Sequence, residues 1–270
     1  MPLRCVYTDL DGTLLGKYGA LFRDADGEFS MRQARALEAC NRAGVEVVIM
    51  SGRREAQVMS DARLMGQTSY IYEAGCGVVI DEERTYLTGD WQPGPDGTPA
   101  ERMIEAGIPD LLFEAFPGKL EYHRPWHTDR HLSHLFRGEV DVARANELLV
   151  ENGHTDLRFL DNGVISRPME GIEKAHAYHL VPGGASKGKA VGWHLRARGY
   201  EPEECIAVGD SIEDLESAEY VGRFFAVANG PEHDPVLREA LPRFPNVTVT
   251  DGRMGDGFYE AVVSTLAERR

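Results

Sequence analysis

Short apolar runs that stop abruptly on polar residues recur along the chain, and helical patterns fill the spaces between them. Residues 3–7 are rich in strand formers and lead into Asp9 and Asp11, while 45–50 lead into Ser51-Gly52-Arg53. Residues 70–72, 205–208, 224–227 and 247–249 have the same character of short buried strands. Ser30-Met31-Arg32-Gln33 reads as a capping box, the helix after it runs to Ala43, and Gly44 closes it. Further helices are predicted over 55–65, 189–198 (closed by Gly199), 212–220 and 235–240. A last one covers 257–267, where Phe258, Val262, Val263 and Leu266 form its apolar stripe. This alternation predicts an α/β fold built on a doubly wound (Rossmann-like) parallel sheet.

The rhythm changes near residue 81. Segments 77–80 and 85–87 suggest a hairpin, which leads into a Gly- and Pro-rich loop over 89–99. Thr98-Pro99-Ala100-Glu101 then looks like a helix start. Residues 81–182 carry most of the histidines, with strands less cleanly separated by helices. They read as an inserted α+β domain, with Val181-Pro182-Gly183-Gly184 as the returning hinge and 1–80 plus 183–270 as the core.

Composition narrows the function classes. With 42% hydrophobic and 27% charged residues the chain is an ordinary globular sequence. No run approaches the ~18 apolar residues that a membrane span needs. Met1-Pro2-Leu3-Arg4 runs straight into the first strand, so no signal peptide and a cytoplasmic location are expected. Cys5, Cys40, Cys76 and Cys205 form no Cys-x-x-Cys pair and read as small buried thiols. A net charge of −15 argues against binding a nucleic-acid backbone. The same charge opposes any anionic substrate, so local positive groups have to overcome it. Oligomeric state cannot be read.

The chemistry-bearing residues stand at the ends of the predicted strands. Asp9 and Asp11 are two apart on extended backbone and point the same way, which suits a nucleophile with a proton carrier beside it. Ligands of open α/β sheets bind at the carboxyl ends of strands. The segment also reads as an Asp-Gly turn, and the rest of the chain decides between the two. Lys187 lies in Gly183-Gly184-Ala185-Ser186-Lys187-Gly188-Lys189, and the strand at 205–208 ends in Gly209-Asp210-Ser211-Ile212-Glu213-Asp214.

Taken in order, the Asp pair, the Ser-Gly pair, the lone Lys and the acidic cluster resemble the four motifs of the haloacid dehalogenase superfamily of phosphohydrolases. The resemblance covers residues 1 to about 80 and about 183 to 270. It implies a Mg²⁺-dependent phosphomonoesterase acting on a small phosphorylated metabolite, a sugar phosphate or a phosphoglycerate derivative. Asp9 would attack phosphorus and form an aspartyl-phosphate, and Asp11 would protonate the leaving group and then activate water. Ser51 and the N–H of Gly52 would hold phosphate oxygens, and Lys187 would neutralise phosphate and orient Asp9. The Mg²⁺ ligands would be Asp9, the backbone carbonyl of Asp11 and Asp210, with Asp214 behind them or bound through water. Thr13 either fixes Asp11 or caps its turn. The insertion at 81–182 would be a type II cap, as in sugar-phosphate, mannosylphosphoglycerate, sucrose-phosphate and archaeal phosphoglycolate phosphatases. Many relatives carry Asn where this chain has Glu213, and acids also favour a first helical turn.

Two other readings share these motifs: a phosphomannomutase-like mutase and a non-catalytic regulatory protein. The complete set of Asp9, Asp11, Lys187 and Asp210 speaks against the latter. A P-loop is also suggested by Gly183-x4-Gly188-Lys189, but Ala190 stands where its Ser or Thr is required. His127, His131 and His134 have helix-face spacing, with His123 nearby, yet Pro125 and the strand-like 132–140 oppose a helical zinc site. Tyr122, Arg124, Trp126 and Arg130 beside them form a possible specificity surface. Of Arg53 and Arg54, one could contact substrate, though a solvated arginine pair is the plainer reading.

Overall fold

Eight strands form the larger sheet of the computed structural model, which describes residues 1–165 and 167–268. In chain order its strands are β1 (Cys5–Thr8), β2 (Glu46–Met50), β3 (Tyr70–Tyr72), β4 (Gly77–Ile80) and β5 (Glu83–Tyr86). Four strands of a second sheet follow: β6 (Leu120–Tyr122), β7 (His134–Gly138), β8 (Leu157–Val164) and β9 (His176–Pro182). The chain then returns as β10 (Cys205–Gly209), β11 (Arg223–Ala226) and β12 (Val247–Val249). The large sheet runs β12-β11-β10-β1-β2-β3-β4-β5, parallel through β3 and antiparallel for the last two strands. The second sheet is antiparallel in the order β6-β7-β9-β8.

Period-two alternation sends successive side chains to opposite faces. Val6, Val47, Ile49, Ile206 and Val208 face α1 (Arg32–Ala43) and α10 (Met254–Glu268), packing on Ala36, Cys40, Phe258 and Val262. Cys5, Tyr7, Val48, Met50 and Ala207 face α6 (Lys187–Arg198) and meet Ala190, Val191 and Leu195. Burying each such aliphatic side chain contributes roughly 1.5–3 kcal/mol. α2 (Glu55–Leu64) joins β2 to β3. A separate cluster lies under the second sheet, where Phe136, Phe159 and Leu180 pack on α3 (Pro99–Glu105), α4 (Ile108–Ala115) and α5 (Val142–Glu151). The molecule is thus an α/β core carrying an α+β cap.

Several elements differ in detail from the sequence expectation. Ser30 does not form the capping box: Gln33 is buried and its amide donates to the carbonyl of Arg23 at 2.7 Å. Gly44 does close α1, at φ 68°, donating its N–H to the carbonyls of Cys40 and Asn41. β5 hydrogen-bonds into the large sheet, so the change of texture near 81 falls inside a core hairpin. α6 starts at Lys187, capped by the Ser186 hydroxyl, two residues ahead of the expected start. The single helix expected over 212–220 is α7 (Ile212–Leu215) followed by a 3₁₀ turn. α8 (Asn229–His233) and α9 (Pro235–Ala240) complete the core. No described helix is long and apolar enough to cross a membrane.

Candidate active site

Neighbouring strands β10, β1 and β2 end side by side, about 4.8 Å apart, and release Asp210, Asp9 and Ser51 at one edge. The sheet order reverses at β1, where connections depart to opposite sides, and ligands bind at such a point. Backbone bonds hold the strand exits: Asp9 N–H donates to Val208 and Ser51 N–H to Ile71, both at 3.0 Å.

Lys187 reaches this edge from the first turn of α6. Its ammonium donates to Asp9 Oδ1 at 2.8 Å and to Asp214 Oδ1 at 2.7 Å, and all three side chains are buried. Burial works against the charge of Lys187, but Asp214 and Asp9 outweigh it and hold the amine well above its usual range. Burial raises Asp9, the charges of Asp214 and Asp210 add to that, and Lys187 opposes both. Asp210 is pushed up to about 7 by burial and by Asp214. One ammonium therefore faces three carboxylates whose oxygens lie within 4.8 Å of one another. This surplus of negative charge on oxygen donors suits a hard divalent cation. The carboxylates are not equally free. Asp214 Oδ2 accepts from Ser211 Oγ at 2.7 Å and from the N–H groups of Ser211 and Asp210. Asp210 is held by Thr13 Oγ1 at 3.1 Å and Asn229 Nδ2 at 3.2 Å. Thr13 therefore acts on Asp210 rather than on Asp11.

Asp11 stands outside this cluster. Its carboxylate is 56% exposed and accepts both arms of Arg53, at 2.6 and 2.7 Å, while Arg53 also binds Asp61 at 2.8 Å. Arg53 is thus a bidentate partner of Asp11, which corrects the expectation of a solvated pair. Arg54 pairs with Asp129 of the cap and donates to the Thr128 carbonyl at 3.1 Å. Gly12, at φ 86°, lies so close to Asp210 that a Cβ would overlap its carboxylate. Asn229 also donates to the Gly12 carbonyl at 2.9 Å and accepts from Met254 N–H at 2.7 Å.

The cap closes on the Ser51–Gly52 turn. Arg130 is buried and donates to the Gly52 carbonyl at 2.8 Å and to Ser133 Oγ at 2.9 Å. Glu73, just past β3 at φ 46°, accepts from the N–H groups of His131 and Leu132, both at 3.1 Å, and from Ser133 Oγ at 2.7 Å. His179 Nε2 lies 2.6 Å from where a Cβ on Gly52 would be. Glu73 and its latch carried no sequence signal, because the partners lie some sixty residues further along. Of the proposed specificity surface, Arg124 and Trp126 are exposed, whereas Tyr122 stacks on Phe136 inside the cap and Arg130 is committed to the latch.

Other candidates resolve differently. Among the described residues the cap histidines form no metal-binding group; His134 Nε2 contacts the Ala100 carbonyl at 2.9 Å, and His127 packs on Tyr122. Residues 183–186 lead into α6 and cap it, and Lys189 is exposed, so the P-loop spacing has no phosphate cradle. Glu213 is buried without a hydrogen-bond partner for either oxygen, and burial pushes it up to about 8.

A family model of haloacid dehalogenase-like hydrolases matches residues 6–90 and 162–235. The chain belongs to this family, as its sheet order and gathered motifs require. It is similar to a phosphoglycolate phosphatase of Methanothermobacter thermautotrophicus, 25% identical across 96% of this chain and 97% of that one. A phosphoglycolate phosphatase of Methanoculleus marisnigri is 26% identical across 96% and 95%. Among solved structures, the sucrose-phosphatase of Synechocystis superposes with a TM-score of 0.70 at 17% identity, covering 98% of each chain. A Thermoplasma acidophilum protein gives 0.65 at 16% identity, covering 98% and 99%.

Proposed function

We propose that this protein is a Mg²⁺-dependent phosphomonoesterase acting on a small phosphorylated metabolite through an aspartyl-phosphate. The observation that carries the reading is Lys187 bridging Asp9 and Asp214 at 2.8 and 2.7 Å, with Asp210 alongside. Phosphoryl transfer needs an in-line nucleophile, a proton donor and concentrated positive charge. Asp9 is the nucleophile: its Oδ1 is held by Lys187, which leaves Oδ2 to attack phosphorus. Asp11, paired here with Arg53, has to leave that pair and take up a proton before it gives one to the leaving alkoxide. It then takes one back from the water that attacks the phosphoenzyme. Ser51 Oγ, the Gly52 N–H and Lys187 hold the phosphoryl oxygens. Asp9, Asp210 and the Asp11 carbonyl would hold Mg²⁺, and Asp214 steadies Lys187 and the Asp210 turn. When bound, the ion would neutralise the carboxylates and the incoming phosphate.

The cap, residues 81–182 in the sequence reading, selects the leaving group. The similarity to phosphoglycolate phosphatases and to a sucrose-phosphatase supports a phosphorylated small acid or sugar as substrate. Phosphate release from a panel of phosphorylated metabolites, with Mg²⁺ and with chelator, tests this. Release that depends on Mg²⁺ and falls at least ~10³-fold in Asp9→Asn is expected. Equal release by Asp9→Asn would remove Asp9 from the chemistry.

A further inference from the structure

The far end of the same sheet holds a second group of metal-binding side chains. Cys5, Glu46 and Cys205 are the first residues of β1, β2 and β10, which lie next to one another. His194 of α6 points at them, fully buried. One donor atom each from Cys5, Glu46 and His194 lie within 4.8 Å of one another. This group is separated from Asp9 by the length of β1, about 13 Å for four residues at ~3.3 Å each, so it is distinct from the carboxylate site.

The state of His194 points to a ligand. Its Nδ1 is satisfied by the Tyr7 hydroxyl at 3.0 Å, whereas Nε2 is buried without a hydrogen-bond partner, 3.7 Å from Glu46 Oε1. Glu46 faces this nitrogen at a distance too long for a good hydrogen bond, and a cation between the two would satisfy both. A hydrogen bond to one imidazole nitrogen, with the other aimed at a cation, is the usual arrangement of a metal-bound histidine. Cys205 pairs in register with Cys5 on the neighbouring strand but stands outside this group of three donors. Glu46 is held as a carboxylate by Ser69 at 2.7 Å, Tyr200 at 2.8 Å and Arg198 at 2.9 Å. One thiolate, one carboxylate and a divalent ion sum to zero charge, which a buried site requires, while Arg198 is balanced by Asp81 at 2.6 Å.

We propose that Cys5, Glu46 and His194 form a structural zinc site that fastens β1 and β2 to α6. Thiolate, imidazole and carboxylate donors around a closed position select Zn²⁺ over the hard Mg²⁺. Loading transfers the Cys5 thiol proton to solvent and involves no change of oxidation state.

The test uses the full-length protein, purified under reducing conditions, stripped with chelator and titrated with Zn²⁺ or Co²⁺ while metal content and absorption are recorded. One equivalent of tightly held zinc, a thiolate-to-cobalt charge-transfer band and a higher melting temperature with Zn²⁺ are expected. Asp210→Asn should keep the band, because its change lies at the other end of the sheet; Cys5→Ser and His194→Gln should lose the band and weaken zinc retention at least tenfold. Folded wild-type protein that takes up no zinc, or gives a cobalt spectrum without a thiolate band, overturns the site. A band that persists in Cys5→Ser does the same. Should Cys5→Ser fail to fold, the wild-type spectrum and zinc content still decide.

Discussion

Lys187 owes its charge to two buried carboxylates, and they depend on it in return. Removing one member of a buried ion pair leaves an uncompensated charge, at a cost of about 3–5 kcal/mol. Lys187→Met is therefore expected to destabilise the metal-free protein by about 3 kcal/mol in urea unfolding, and to abolish phosphate release. Gly12 offers a finer probe, since its positive φ and its contact with Asp210 both exclude a side chain. Gly12→Ala should lose at least ~100-fold in phosphate release, with a smaller loss in Mg²⁺-free stability. The positions of Asp9, Ser51 and Asp210 were legible because each follows an apolar run, and a parallel sheet puts such exits on one edge. The bidentate contact of Arg53 with Asp11 was not legible. It depends on where the turn after β2 throws a long side chain, and no local pattern encodes that.

Elements were readable where one local rule governed them and misread where a distant partner intervened. Gly44 ended α1 as expected, in a left-handed cap with open space around its α-carbon. Gly44→Ala meets no clash there, so its cost is conformational, about 1 kcal/mol by denaturant melt. The Ser30 capping box failed because Gln33 is drawn to the Arg23 carbonyl instead. The helix expected over 212–220 begins with a Ser211–Asp214 capping box but tightens into a 3₁₀ turn after Leu215. Glu73 fastens core to cap through contacts that only the folded chain brings together. Glu73 also lies 3.8 Å from the buried Arg130 guanidinium, so Glu73→Ala leaves that charge unpaired and a loss of about 3 kcal/mol is expected. Limited proteolysis should then cut first within 123–133.

Across the whole molecule, core and cap respond to pH in opposite senses. Asp210 and Glu213, raised to about 7 and about 8, keep protons that the unfolded chain has released above pH ~4. The folded state then binds more protons, so stability falls as pH rises through this range. In the cap, burial lowers His123 to about 4 and lowers His134 and His179 as well. Their unfolded forms take up protons below pH ~6.5 first, so stability is lost as pH falls from there towards 4. Metal-free protein should therefore melt at lower temperature at pH 8 than at pH 6.5, and Mg²⁺ should remove that decline. His123→Gln should soften the acid side alone. Melting curves in chelator across pH 4–8 check both arms.

Residues 183–186 are all that separate the last cap strand, β9, from Lys187 at the head of α6. So short a tether makes the amine's placement hostage to the lid's posture: a lid swinging away tugs directly on the group that balances Asp9. Anyone transplanting a foreign lid onto this chassis, to retarget it, inherits a constraint on cut points. The incoming splice has to preserve those few residues intact.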